Sequence, residues 1–136
     1  YITECTKVID RMNAIMASIE NFGTLPANVS ESEREKKSQQ ALAINNNATA
    51  LNKKTLGLFH PHESSDAHKE LIQASECVRL AAYSLYTYAL QENAEEQANQ
   101  YRQCRNQIAQ ARASLERFWI DIQNLKSNNQ PQQEDN

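Results

Sequence analysis

The sequence predicts an all-α fold, an antiparallel up-down-up-down four-helix bundle. Three observations predict it. Gly occurs 2 times and Pro 3 times in 136 residues, too few turn formers for the frequent turns of a sandwich or barrel. Apolar residues return in steps of three and four along four separate stretches, the period of a helix with one buried face. The connections between these stretches are short, which favours antiparallel neighbours crossing at about 20°. A chain of this length suits a single core. One helical domain is therefore expected over 1–126, followed by a disordered polar tail over 127–136.

The first helix is expected over about 3–22. Ile2, Cys5, Ile9, Met12, Met16 and Ile19 form its seam, widened by Val8, Ile15 and Phe22. Gly23 stands where a left-handed residue ends a helix, and Pro26 keeps the helix from resuming. The second helix is expected over 31–56. Ser30 and Glu33 spell a Ser-x-x-Glu capping box, and Gly57 is the expected stop. Its apolar line is thin: Ala41, Ile44, Ala48, Leu51, then Thr55 and Leu58. Its first two turns hold no apolar residue, so helix propensity and mixed i,i+4 charges must support them. Asn45, Asn46 and Asn47 weaken its middle.

The third helix is expected over 65–91, with Ser64, Ser65 or Asp66 as its cap. Its seam is Leu71, Ala74, Val78, Ala81, Leu85 and Tyr88. The fourth is expected over 94–126, opened by Asn93 and Glu96, an Asn-x-x-Glu variant of the capping box. Tyr101, Cys104, Ile108, Ala111, Leu115, Phe118, Ile122 and Leu125 step along it without a miss. Phe118 and Trp119 belong to a wide core face opposite the start of the first helix, with Ile120 in excess. Beyond it the chain decays into polar residues with nothing to bury.

Composition excludes several functions. Net charge is −3 and the isoelectric point is about 5.6, which argues against nucleic acid as a partner. Mean hydropathy is −0.75, and no stretch reaches the ~18 apolar residues that a membrane span needs. The first residue is Tyr, so a processed or excised piece is expected. The compartment is left open. Two sequons, at Asn28 and Asn47, are no more than so polar a chain holds by chance. Catalytic signatures are missing: no Glu-x-x-His, no Gly-rich phosphate loop, no Gly-x-Ser-x-Gly and no His-Glu-x-x-His. An enzyme is accordingly not the expected reading. Arg102, Arg105 and Arg112 flank the fourth seam and read as solvated or ion-paired edges.

Three cysteines, Cys5, Cys77 and Cys104, contain no C-x-x-C pair. Counting residues back from the turn between the third and fourth helices puts Cys77 and Cys104 at matching heights, with Cys5 elsewhere. Both a disulfide and a pair of buried thiols fit that placement.

Two groups of residues carry candidate function. All three histidines, His60, His62 and His68, fall within one short stretch with Asp66 among them. Imidazole and carboxylate are ligands that zinc, copper and nickel accept. The alternative is a polar helix entrance whose histidines are merely solvated, since the spacing matches no ligand signature. No other cofactor is expected. The second group is Leu80, Tyr83, Tyr86 and Leu90, which must lie on the flank or outer face of the third helix. A helix apolar on nearly every side is normally covered on every side, and Tyr is enriched at interfaces. Cover by the chain's own loops or neighbours explains them equally. The leading expectation is a non-enzymatic interaction module that self-associates or binds a protein partner through the third helix. A small-molecule- or metal-binding sensor-type bundle, cut from a longer protein, is the alternative.

Overall fold

The computed structural model describes residues 1–128, and its secondary structure there is helical throughout. Four helices follow in order: α1 (Ile2–Phe22), α2 (Glu31–Leu56), α3 (Ser65–Leu90) and α4 (Ala94–Asn128). A single 3-10 turn, His62–Ser64, precedes α3. The helices pack against one another as an all-α four-helix bundle. Helix α4 continues through residues 127 and 128, where the polar tail was expected to begin. The rest of that tail lies outside the described residues.

Long-range hydrogen bonds give the direction of each helix. The Tyr1 hydroxyl meets His68 Nδ1 at 2.8 Å, so α1 and α3 start at one end. Leu25 N–H donates to the Tyr88 hydroxyl at 2.6 Å, so both finish at the other. Arg34 donates to the Gln91 carbonyl at 3.0 Å, and Asn52 Nδ2 donates to Ser75 Oγ at 2.9 Å, which sets α2 antiparallel to α3. Thr87 Oγ1 donates to Gln100 Oε1 at 2.9 Å, and Arg117 Nε donates to Glu70 Oε2 at 3.0 Å, which sets α4 antiparallel as well. The chain therefore runs up, down, up and down.

Every residue of the predicted α3 seam is buried. So are Ala67, Ser75, Cys77, Ala82, Ser84 and Ala89, which lie off it. The reason is the size of these side chains. Ala, Ser and Cys let neighbouring backbones approach from several directions, and α3 packs closely on α2 and α4 and also meets α1. It is the central helix. Much of its all-round apolar character is therefore covered by its own neighbours.

Of each predicted capping box the cap-side hydrogen bond is present, while the return bond from the glutamate side chain is absent among the described residues. Glu33 N–H donates to Ser30 Oγ at 3.2 Å, and Glu96 N–H donates to Asn93 Oδ1 at 2.9 Å. The start of α3 differs from expectation. Ser64 and Ser65 turn their hydroxyls back onto the carbonyls of Pro61 and His62, at 2.8 and 2.7 Å, and close the 3-10 turn. Pro61 holds the extended conformation that feeds this turn.

The cysteine heights are corrected by the α3–α4 register. Cys77 Sγ faces Gln110 Oε1 at 4.0 Å. With the Thr87–Gln100 and Glu70–Arg117 contacts, this places Cys104 near the level of Tyr83. That is about six residues from Cys77, or about 9 Å at the helical rise. The turn explains the offset. Gln91 is extended, with φ −78° and ψ 128°, so the chain climbs past the end of α3 before α4 begins. All three thiols are free and buried.

Candidate functional site

The outer face of α3 is built by helix geometry. Tyr83 and Leu90 are seven residues apart and share a line. The faces beside them are occupied by contacts to α2 through Ser75 and to α4 through Thr87. Tyr83 keeps 53 % of its surface exposed and Leu90 keeps 51 %. Leu80 is half-buried. Tyr86 is also partly buried, and its ring packs against the core. The four residues thus share a side of α3 but divide in role: two project outward, and two brace the margin. One turn further back, the Glu76–Arg79 ion pair closes the stripe, with Arg79 Nε 3.2 Å from Glu76 Oε2. Its hydrogen bonds hold the Glu76 carboxyl below the usual carboxylate range.

The histidines take a different arrangement from a ligand set. The His60 and His68 rings stack, with centroids 4.0 Å apart and planes 13° from parallel. His68 is 3 % exposed, and its Nδ1 is hydrogen-bonded with the Tyr1 hydroxyl at 2.8 Å. Burial holds the imidazole below its ordinary pKa, and the neighbouring His60 adds to the effect. Burial likewise pushes the Tyr1 phenol well above its ordinary value, with the Cys5 contact adding to it. His62 and Asp66 are exposed. Among the described residues no group of three or more His, Cys, Asp or Glu is placed to hold a metal ion. The expected set of His60, His62, Asp66 and His68 is not assembled. The reason is local: Pro61 and the 3-10 turn fold His60 back onto His68.

Two residues near these surfaces, Leu56 and Phe59, were not singled out in the sequence. Phe59 is 86 % exposed in the α2–α3 connection, and Leu56 beside it is also exposed. A Phe between Gly57 and Pro61, with no helical partner, is the signal that marks it. Tyr88 is buried and accepts the Leu25 N–H, which ties the first loop to the end of α3. Its ring lies 5.2 Å from that of Tyr101. Trp119 departs from its expected core position: Phe118 is fully buried and Trp119 meets it edge-on, but both Trp119 and Ile120 are exposed.

No helix among the described residues is long and apolar enough to cross a membrane. Comparison with protein-family models, with curated proteins and with solved structures found no match.

Proposed function

We propose that the chain is a non-enzymatic interaction module that binds a protein partner or a second copy of itself through the outer face of α3. The observation that carries this reading is the alignment of Tyr83 and Leu90. Both are large, both are half exposed, and both sit on the helix whose remaining faces are covered. Leu80 and Tyr86 continue the apolar margin on either side. A few anchor residues supply most of the energy at a protein interface, and Tyr is enriched among them.

The test is light scattering over a wide concentration range, applied to the wild type and to a Tyr83→Glu, Leu90→Glu double variant. Both positions are exposed, so circular dichroism should show an unchanged fold. Self-association in the wild type, lost in the variant, supports the reading. A wild type that stays monomeric at millimolar concentration overturns its self-association form. The hetero-partner form is then decided by a photo-crosslinking residue at position 83, compared with one at exposed Glu35 on α2. Equal labelling from the two positions would count against an α3 surface.

A further inference from the structure

The seam between α1 and α4 is unlike the other seams of the bundle. The backbones of α3 and α4, of α2 and α3, and of α1 and α2 approach closely, whereas α1 and α4 stand apart. Among the described residues one ion pair spans the gap. Arg112 donates to both oxygens of the Glu20 carboxylate, at 2.6 and 3.2 Å. Beside it lies a groove of about 460 Å³. Its floor is apolar, formed by Ile19, Cys104 and Ile108, all buried. Tyr101 forms a wall, and the small side chain of Ala109 leaves the opening clear.

The rim carries two guanidinium groups, Arg105 and Arg112, against one carboxylate, Glu20. Glu20 is already engaged by both arms of Arg112. Arg105 takes part in none of the ion pairs found among the described residues. Its charge nonetheless reaches the groove. The Glu20 carboxyl is held low first by its hydrogen bonds to Arg112, then by the charges of Arg112 and Arg105. Burial pushes the Cys104 thiol up to about 12, so the floor holds no thiolate at neutral pH. The groove therefore combines one uncompensated cation with a neutral, apolar base.

We propose that the α1–α4 groove is a binding site for a small monocarboxylate carried on a flat apolar body. Arg105 takes the carboxylate, because guanidinium offers two parallel donors that match it. The apolar body lies over Ile108 and Ala109 against the Tyr101 ring. A second negative charge on the ligand would meet Glu20, which favours a monoanion. A groove of this volume falls in the range of sites for small ligands. The site is separate from the α3 face and does not depend on it.

The probe is 2-naphthoate, titrated into the wild-type chain by calorimetry and followed by NMR shifts. Saturable binding is expected, with shifts centred on Tyr101, Arg105 and Ala109. Arg105→Gln should weaken it by about tenfold or more, the loss of a charged hydrogen-bonding partner. Ala109→Leu should weaken it by filling the opening. Both positions are exposed, so melting curves should match the wild type and separate loss of binding from loss of fold. The neutral alcohol 2-naphthylmethanol should not displace the probe. No saturable binding at millimolar 2-naphthoate overturns the proposal. So does wild-type affinity in either variant, or displacement by the alcohol at equal concentration.

Discussion

Two glycines illustrate how one residue type serves two purposes. Gly23 has φ +70° and ψ −156°, a region open almost solely to glycine. Nothing lies within 4 Å of the place where a Cβ would stand, so any penalty there belongs to the backbone alone. Gly57 has φ −87° and ψ −2°, an ordinary right-handed conformation. A Cβ there would meet the Lys53 and Lys54 carbonyl oxygens at 3.6 and 3.7 Å, which is normal contact. Gly23→Ala should therefore destabilise the fold by about 1–3 kcal/mol. Gly57→Ala should be neutral or stabilise it by up to about 1 kcal/mol, by restricting the unfolded chain. Urea denaturation of the two variants checks the contrast. Equal effects would show that the Gly23 conformation is not strained.

His68 makes a second prediction at the same scale. Its imidazole is buried neutral in the folded state, below the ordinary value, chiefly through burial. An unfolded histidine titrates near pH ~6.5. Between that value and the lower folded one, the unfolded chain binds more protons, so stability rises with pH across the window. Stability should accordingly fall as pH drops from about 6.5 toward the folded value. The melting temperature measured against pH should show this slope, and His68→Gln should flatten it. A wild-type curve with no slope below neutrality would sink the assignment. Tyr1→Phe removes the hydroxyl that is hydrogen-bonded with Nδ1 and should cost about 1 kcal/mol at neutral pH.

Among the helices, α2 is held in two different ways along its length. Its second half buries Ala48, Leu51, Asn52 and Thr55, and Asn52 reaches Ser75 of α3. Its first buried residue is Ala41. Before that, two cations anchor it. Arg34 reaches the Gln91 carbonyl, and Lys37 sits 4.6 Å from the centre of the Phe22 ring. Such contacts are worth about 0.5–1 kcal/mol at exposed sites, less than a buried apolar seam. Amides over 32–40 should exchange faster than those over 108–122 of α4, because local opening there exposes little apolar surface. Hydrogen exchange measures this directly, and equal protection in the two stretches would count against it. The thinness of α2 was legible from its sequence, because apolar spacing is a local property. The anchors were not, since nothing in the spacing of Arg34 or Lys37 shows which loop lies within reach.

For the molecule as a whole, the three thiols report on how the helices fit together. Cys5, Cys77 and Cys104 are each about 1 % exposed or less. All three should resist alkylation in the native state and react fully once the chain is denatured, with no reductant required. Intact mass before and after denaturation decides it. A bond between Cys77 and Cys104 would contradict the α3–α4 register set by Cys77 and Gln110. The helix spans, their seams and two of their caps were determined by the sequence itself. Each depends on neighbours within one or two turns: Ser30 with Glu33, Asn93 with Glu96, and the unbroken steps from Tyr101 to Leu125. The tertiary structure alone decided how those seams meet. Interhelical register depends on which side chains interlock, and an extended residue such as Gln91 shifts it with no trace in the periodicity. The same reason hid the stacking of His60 on His68, where a turn brings distant rings together. It also hid the open α1–α4 seam. Small residues spread around α3 draw the other three helices toward it, and the spacing left between α1 and α4 is a property of the packed assembly.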